Sequence, residues 1–244
     1  MPLFRRSLPE LKDLAAIGVD LHNHVLAGLD DGSPSLEESL RMLRLWVELG
    51  YRKVITTPHV ISALYPNTSE RILGQMYHLQ EVIREEGIPI ELEATAEYHL
   101  DYEFGSRLES GEVIGFGKRN YLLLELPFQS PGFKVEEVFY QVQLAGYEPV
   151  LAHPERYSYL SENFKSYEYL KDRDIAFQLN LLSLTGNYGP RPLLAARRLI
   201  DAGMIDFAGS DAHHAAHLTD LRKMLRNRHL QKLIASGRLR NNEL

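Results

Sequence analysis

At 244 residues, with 44% apolar side chains and a net charge of -6, the chain is sized for one large α/β domain and carries no cationic run to follow nucleic-acid phosphates. The absence of cysteine excludes thiolate nucleophiles, thiolate metal sites and disulfides. No run reaches the length of a membrane helix, and residues 1–16 mix Phe4, Arg5, Arg6, Glu10, Lys12 and Asp13, unlike a signal-peptide core, so the expected location is the cytoplasm without membrane insertion.

Taken in order, apolar strand-like runs alternate with helix-like segments. Residues 17–21 form the first strand and lead into Asp20-Leu21-His22-Asn23-His24. Side chains two apart share a strand face, so His22 and His24 are expected to aim together beyond the strand end. A helix to about Gly50 follows, with Ser33-Pro34 and the Ser35 to Glu38 capping box competing for its start. Leu40, Leu43 and Val47 are its expected buried stripe. The second strand, 53–57, stops at Pro58-His59; a loop over 60–68 and a helix over 69–86 come next. The third strand, 88–95, ends in Ala96-Glu97-Tyr98-His99. The fourth, 121–127, is nearly all apolar with one carboxylate, Glu125. A run buried on both faces suits a parallel sheet, and a charge within it needs a cationic partner.

A helix over 134–145 then leads to the fifth strand, 148–152, which delivers His153-Pro154-Glu155-Arg156-Tyr157. The sixth, 175–179, ends at Asn180. A helix over 192–202 precedes the seventh, 205–209, which ends in Ser210-Asp211-Ala212-His213-His214. The last helix is expected over 217–235, and its basic residues Arg222, Lys223, Arg226 and Arg228 are expected on a solvated face.

Seven βα units in this order imply a parallel sheet with helices outside, closed into a barrel; an open doubly wound sheet is the rival. His22, His24, His59, Glu97, Glu125, His153, Asp211 and His213 each fall near the C-terminal end of a predicted strand, and in a barrel those ends ring one mouth. Singly, His59 and His153 could be turn residues and Glu97 a strand-end surface charge. Together they point to a metal site. His78 and His229 lie in predicted helices and are expected at the surface. His99 could share the face of Glu97 outside the ligand set, and neither His214 nor His217 is expected to be a ligand. Tyr65, Tyr98, Phe128, Tyr157 and Tyr188 fall near the mouth, either to flank an aromatic ring or to pack.

His22-Asn23-His24, Asp30-Asp31-Gly32, Thr57-Pro58-His59, Ala96-Glu97, Leu124-Glu125, His153-Pro154-Glu155-Arg156-Tyr157 and Ser210-Asp211-Ala212-His213 resemble, in order, the motifs of the polymerase and histidinol phosphatase (PHP) superfamily. Among them Asp30-Asp31-Gly32 and His153-Pro154-Glu155-Arg156-Tyr157, with Leu184-Thr185-Gly186, are most similar to the bacterial protein-tyrosine phosphatases of capsule and exopolysaccharide clusters. The resemblance implies an α/β fold, a distorted (β/α)7 TIM-like barrel over 17–244 preceded by an N-terminal extension, 1–16, whose role is left open between packing and oligomer contact. It implies three divalent metal ions, usually Mn2+ with Fe or Zn as alternatives. The implied substrate is a phosphotyrosine protein, the tail of a membrane-associated bacterial tyrosine kinase.

Residue by residue, the resemblance makes His22, His24 and Asp211 ligands of a first ion, with Glu125 bridging to a second. His59 and Glu97 serve the second, and Glu97 bridges to a third held by His153 and His213. Asp31 stands where the family has an acidic residue beside the site, though a turn residue before a capped helix would look the same. Arg156 matches the arginine that grips the phosphate, with an ordinary loop ion pair as the alternative. A small-molecule phosphatase of the histidinol-phosphate type and a non-catalytic PHP scaffold are the other functions this ligand set allows.

Overall fold

The computed structural model describes residues 11–129 and 132–244, so residues 1–10 of the expected N-terminal extension lie outside the described residues. Of the extension's remainder, Leu14 is fully buried in the main core and its amide donates to the Leu49 carbonyl at 2.7 Å.

Nine strands are found among the described residues: β1 Val19–Leu21, β2 Lys53–Thr56, β3 His59–Val60, β4 Glu91–Ala94, β5 Glu97–His99, β6 Tyr121–Glu125, β7 Glu148–Ala152, β8 Ala176–Asn180 and β9 Phe207–Gly209. Every pairing is parallel, in the orders β1-β2-β4 and β3-β5-β6-β7-β8-β9. The second expected strand is β2, and a further short strand, β3, follows it beyond Pro58, which has no amide to give to a ladder. The third is β4, and another short strand, β5, follows it beyond Thr95-Ala96. Lys53 faces Glu91 and His59 faces Glu97, so the register passes through both breaks unchanged. The sheet curls until its last strand meets its first. Asn23 and Ala212 form a parallel bridge, the Asp211 amide donates to the His22 carbonyl at 2.7 Å, and Ser210 Oγ donates to Asp20 Oδ2 at 2.6 Å. Gly209 permits this approach, because a Cβ there would overlap the Leu21 carbonyl oxygen and stand 2.7 Å from His22 Cβ.

Alternation along the strands divides the core in two. Val19, Leu21, Leu123, Val150, Ala176 and Phe207 fill an inner cluster. Val54, Leu122, Leu124, Leu151, Phe177 and Ala208 face outward against the helices. The first helix, Leu36–Glu48, starts at Ser35, whose side chain accepts from the Glu38 amide, so the later of the two expected starts is used. Its buried face is centred on Met42, Leu43 and Trp46, with Leu40 and Val47 partly buried at the margins. Three helices that the chain pattern did not suggest lie at Phe104–Ser110, Ser158–Ser161 and Lys165–Lys171. The single last helix expected over 217–235 is two, Ala215–Lys223 and Arg228–Ala235. Asn227 divides them by accepting from the His229 and Leu230 amides and capping the second. None of the described helices is long and apolar enough to cross a membrane.

Candidate metal centre

The C-terminal ends of these strands carry all eight residues expected as ligands, and they reach one site by two routes. Strand alternation places three of them. Leu123 is inward on β6, so Glu125 two residues on is inward as well, while outward Tyr98 and Val60 leave Glu97 and His59 on the inner face of β5 and β3. Backbone turns place others. Leu21 and Ala152 are the last inward side chains of β1 and β7, so strict alternation would send His22 and His153 outward. Both instead adopt positive φ, 102° and 32°, and Asp211 adopts φ 50°. A left-handed non-glycine residue costs about 1–3 kcal/mol and persists where surrounding structure fixes it, as functional sites do.

Glu97 is at the centre. It is fully buried, with Oε2 at 3.2 Å from His22 Nε2, 3.7 Å from His24 Nε2 and 2.9 Å from His59 Nδ1, and Oε1 at 2.9 Å from His153 Nε2. Asp211 Oδ1 lies 3.4 Å from His22 Nε2 and 3.3 Å from His24 Nε2. Glu125 stands on the far side, 3.6 Å from His153 Nε2 and 4.0 Å from His59 Nδ1. Four groups could each hold a cation: His22 with His24 and Asp211, His22 with Glu97 and His153, His59 with Glu97 and Glu125, and His24 with His59 and His213. Two of these groups, His22 with His24 and Asp211 and His59 with Glu97 and Glu125, hold the residues that the resemblance assigns to the first and second ions, and the other two differ from its third. Glu97, rather than Glu125, stands against the first histidine pair, and His213 gathers with His24 and His59 rather than with His153.

The histidines are oriented from behind. Gln178 Oε1 accepts from His22 Nδ1 at 2.7 Å, Asp30 Oδ2 from His24 Nδ1 at 2.7 Å, and the Asp211 carbonyl from His213 Nδ1 at 3.0 Å. Each contact puts the proton on Nδ1 and turns a bare Nε2 inward. In the neutral imidazoles, nitrogen lone pairs would face carboxylate oxygens at close range: His22 Nε2, His24 Nε2, His59 Nδ1 and Glu97 Oε2 are buried without a hydrogen bond of proper geometry. Converging acceptors without protons between them are mutually repulsive, and a divalent cation relieves that repulsion, so the donor set fits one. Gln178→Ala should accordingly lower metal affinity by about 10–100-fold while leaving the fold intact, a loss measurable by manganese titration.

Without a cation, the acids must hold protons on the imidazoles. Burial pushes His22 down, but Glu97 and Asp211 beside it prevail and lift it to about 9. His24 rises to about 9 against its burial through Asp30, and His59 to about 10 through Glu97. Glu97 and Asp211, which burial alone would raise, are held well below the carboxylate range, both with His22 as the leading cation. His213 falls to about 4 through burial and repulsion from His24. A metal would displace these protons.

At the mouth, a cavity of about 390 Å³ is lined by Arg156, Phe128, Tyr188, Asp31, His214 and His217 together with six of the eight donors, all but His22 and His24. Arg156 Nη1 donates to Asp211 Oδ2 at 2.9 Å, and its guanidinium lies 4.7 Å from the Phe128 ring centre and 4.4 Å from that of Tyr188. Asp31 is exposed, 3.7 Å from both His59 Nε2 and His213 Nε2. Tyr65 stacks on His59 at 5.9 Å, while Tyr98 and Tyr157 are core residues. His99 Nδ1 donates to Glu125 Oε2 at 3.1 Å. The His217 ring contacts the His213 amide at 3.3 Å, and His78 is exposed while His229 is partly buried. Asp30 and Gln178 were not singled out from the sequence. Gln178 carried a signal, a polar side chain inside the apolar run 175–179, of the kind that marked Glu125.

The family model for capsular polysaccharide synthesis, CpsB/CapC, matches residues 18–235. The tyrosine-protein phosphatase YwqE of Bacillus subtilis is 32% identical over 196 residues, covering 80% of this chain and 77% of the relative. The putative tyrosine-protein phosphatase CapC of Staphylococcus aureus is 27% identical over 209 residues, covering 86% and 82%. A solved structure from the pair YwqE of Bacillus subtilis and CpsB of Streptococcus pneumoniae, metal-dependent tyrosine phosphatases, has a TM-score of 0.75 at 31% identity, over 90% of this chain and 86% of that one.

Proposed function

Because the chain belongs to the capsular polysaccharide synthesis family CpsB/CapC, we propose that it is a metal-dependent tyrosine-protein phosphatase that cleaves phosphotyrosine with water as the nucleophile. The observation that carries this is the buried cluster of converging imidazoles and carboxylates that shares one cavity with Arg156 and its two aromatic neighbours. We read the architecture as a distorted seven-unit barrel, and His22, His24, His59, Glu97, Glu125, His153, Asp211 and His213 as ligands of three divalent ions, with manganese favoured over iron or zinc by the resemblance. The substrate we infer is the tyrosine tail of a membrane-associated bacterial kinase, met in the cytoplasm.

Bound divalent ions would supply Lewis acidity, offsetting phosphoryl charge and generating a water-derived nucleophile near neutral pH. The chain's own residues do the rest. Arg156 presents a planar fork of donors to the phosphoryl oxygens, and Asp211 Oδ2 holds that fork at the cavity edge. Phe128, 44% exposed and stacked 5.8 Å from His153, offers an apolar wall for the phenyl ring, with Tyr188 on the other side of Arg156. Gln178 and Asp30 keep the imidazole nitrogens turned inward. Asp31, exposed beside His59 and His213, is placed to receive or orient water. A tyrosine leaves as a phenolate of pKa about 10, which demands less proton donation than an alkoxide would.

The test is phosphate release from a phosphotyrosine peptide and from histidinol phosphate, with metal-stripped protein before and after manganese is returned. Manganese should restore turnover of the peptide in preference to histidinol phosphate. Arg156→Ala should lose about 10²-fold in kcat/KM, the worth of a charged hydrogen-bond pair of about 3 kcal/mol. A preference for histidinol phosphate would overturn the tyrosine assignment, and silence on both substrates would leave a binding scaffold.

A further inference from the structure

We propose that Glu155 is a positioning residue for Arg156, fastening the turn that carries the guanidinium to the end of β8, from which two of its contacts, Asp211 and Tyr188, are held. The inference rests on reading Arg156 as the phosphate-binding group.

Pro154–Arg156 is a single 3-10 turn directly after His153. Its two last side chains diverge: Arg156 reaches the cavity, while Glu155 turns inward and is 1% exposed. Glu155 Oε1 accepts from the Asn180 amide at 3.1 Å and from Ser183 Oγ at 2.7 Å. Asn180 is the junction. Its Oδ1 accepts from the Leu182 amide at 2.8 Å, and its Nδ2 donates to Asp211 Oδ2 at 2.8 Å and to Tyr188 Oη at 3.2 Å. Asp211 Oδ2 is the atom that accepts from Arg156, and the Tyr188 ring is one face of its cage. The carboxylate therefore ties the base of Arg156 to the same residue that fixes two of its contacts, Asp211 and Tyr188.

Packing alone does not account for Glu155. Its Oε2 is buried with no hydrogen-bond partner among the described residues, a cost that an apolar side chain of similar size would not incur. What the carboxyl provides and leucine cannot is a directional tie between two turns. Misplacing a substrate-binding group by about 1 Å can cost about 10²-fold, so such a tie has kinetic value.

The test uses manganese-loaded protein carrying Glu155→Leu, Glu155→Gln or Ser183→Ala, each with Arg156 present and in an Arg156→Ala background. The readouts are KM and kcat on a phosphotyrosine peptide, the inhibition constant of inorganic phosphate, bound manganese and melting temperature. Glu155→Leu should raise KM and the phosphate constant about tenfold at unchanged manganese content, Ser183→Ala about threefold, and Glu155→Gln, which keeps an acceptor, less than about twofold. With Arg156 gone, none of the three should add a further effect, because groups acting as one unit are not additive. If Glu155→Leu fails to fold, Ser183→Ala carries the test. A loss of melting temperature with both constants unmoved, or an effect that persists in Arg156→Ala, overturns the proposal. Should the unaltered protein bind phosphate yet leave the peptide intact, the phosphatase reading fails separately, and the phosphate constants still decide the role of Glu155.

Discussion

Glu97→Gln is expected to lower kcat on a phosphotyrosine peptide by at least about 10³-fold, together with loss of bound manganese, because several kcal/mol of transition-state charge stabilisation would depend on the ions that this carboxylate is proposed to gather. It approaches four imidazoles, from His22, His24, His59 and His153, at 2.9 to 3.7 Å. Glutamine has the same shape but one charge fewer, and its amide hydrogens would point at nitrogens that must keep their lone pairs. The loss should therefore be electrostatic, with circular dichroism unchanged. Glu91→Gln, at an exposed carboxylate on the opposite end of the same strand run, is the control. Turnover of Glu97→Gln within tenfold of the unaltered protein, at full manganese content, would remove Glu97 from the centre of the site.

Much of this site is legible in the chain because a parallel sheet brings its C-terminal strand ends together, so a list of strand ends is already a list of neighbours. Glu125 and Glu97 show this: period-2 alternation alone aims them inward. His22 and His153 mark where that reasoning stops. The pair His22 and His24 was expected to share a strand face, yet β1 ends at Leu21, and positive φ at His22 turns its ring into the site. No side chain announces a left-handed backbone at a histidine, since its cause is the closure of the first strand on the last through Asn23, Ala212 and Gly209. The neighbours of His213 were illegible for a related reason. Which histidines share an ion depends on how far the sheet curls, and that places His213 against His24, with ring centres 4.0 Å apart. Asn227 shows the helical counterpart, where one Asx cap inside a continuous amphipathic pattern makes two helices of one.

Removal of the metal is the second large effect expected, and its dependence on pH separates a metal centre from a polar core. A ligand at about 1,000 times its dissociation constant stabilises by about 4 kcal/mol. For a chain of this size each kcal/mol moves Tm by about 2–4 °C, so chelation should lower Tm by about 8–16 °C near neutrality. The stripped protein has its own pH profile. His22 and His24 are raised to about 9 and His59 to about 10, so their contribution is complete below the unfolded value of about 6.5 and is lost as pH rises through 9 to 10. Glu97 and Asp211 are depressed, so theirs is present above about 4 and is lost as pH falls further. The stripped protein should thus be most stable between about pH 5 and 6.5 and weaken steadily toward pH 9. Metal binding runs the other way, since it needs neutral imidazoles and releases their protons as pH rises. The gap in Tm between manganese-loaded and stripped protein should therefore be wider at about pH 8.5 than at about pH 6 in the same scan. A gap that is absent at both, or wider at the lower pH, would mean that the imidazoles and carboxylates stabilise one another as ion pairs and hold no cation.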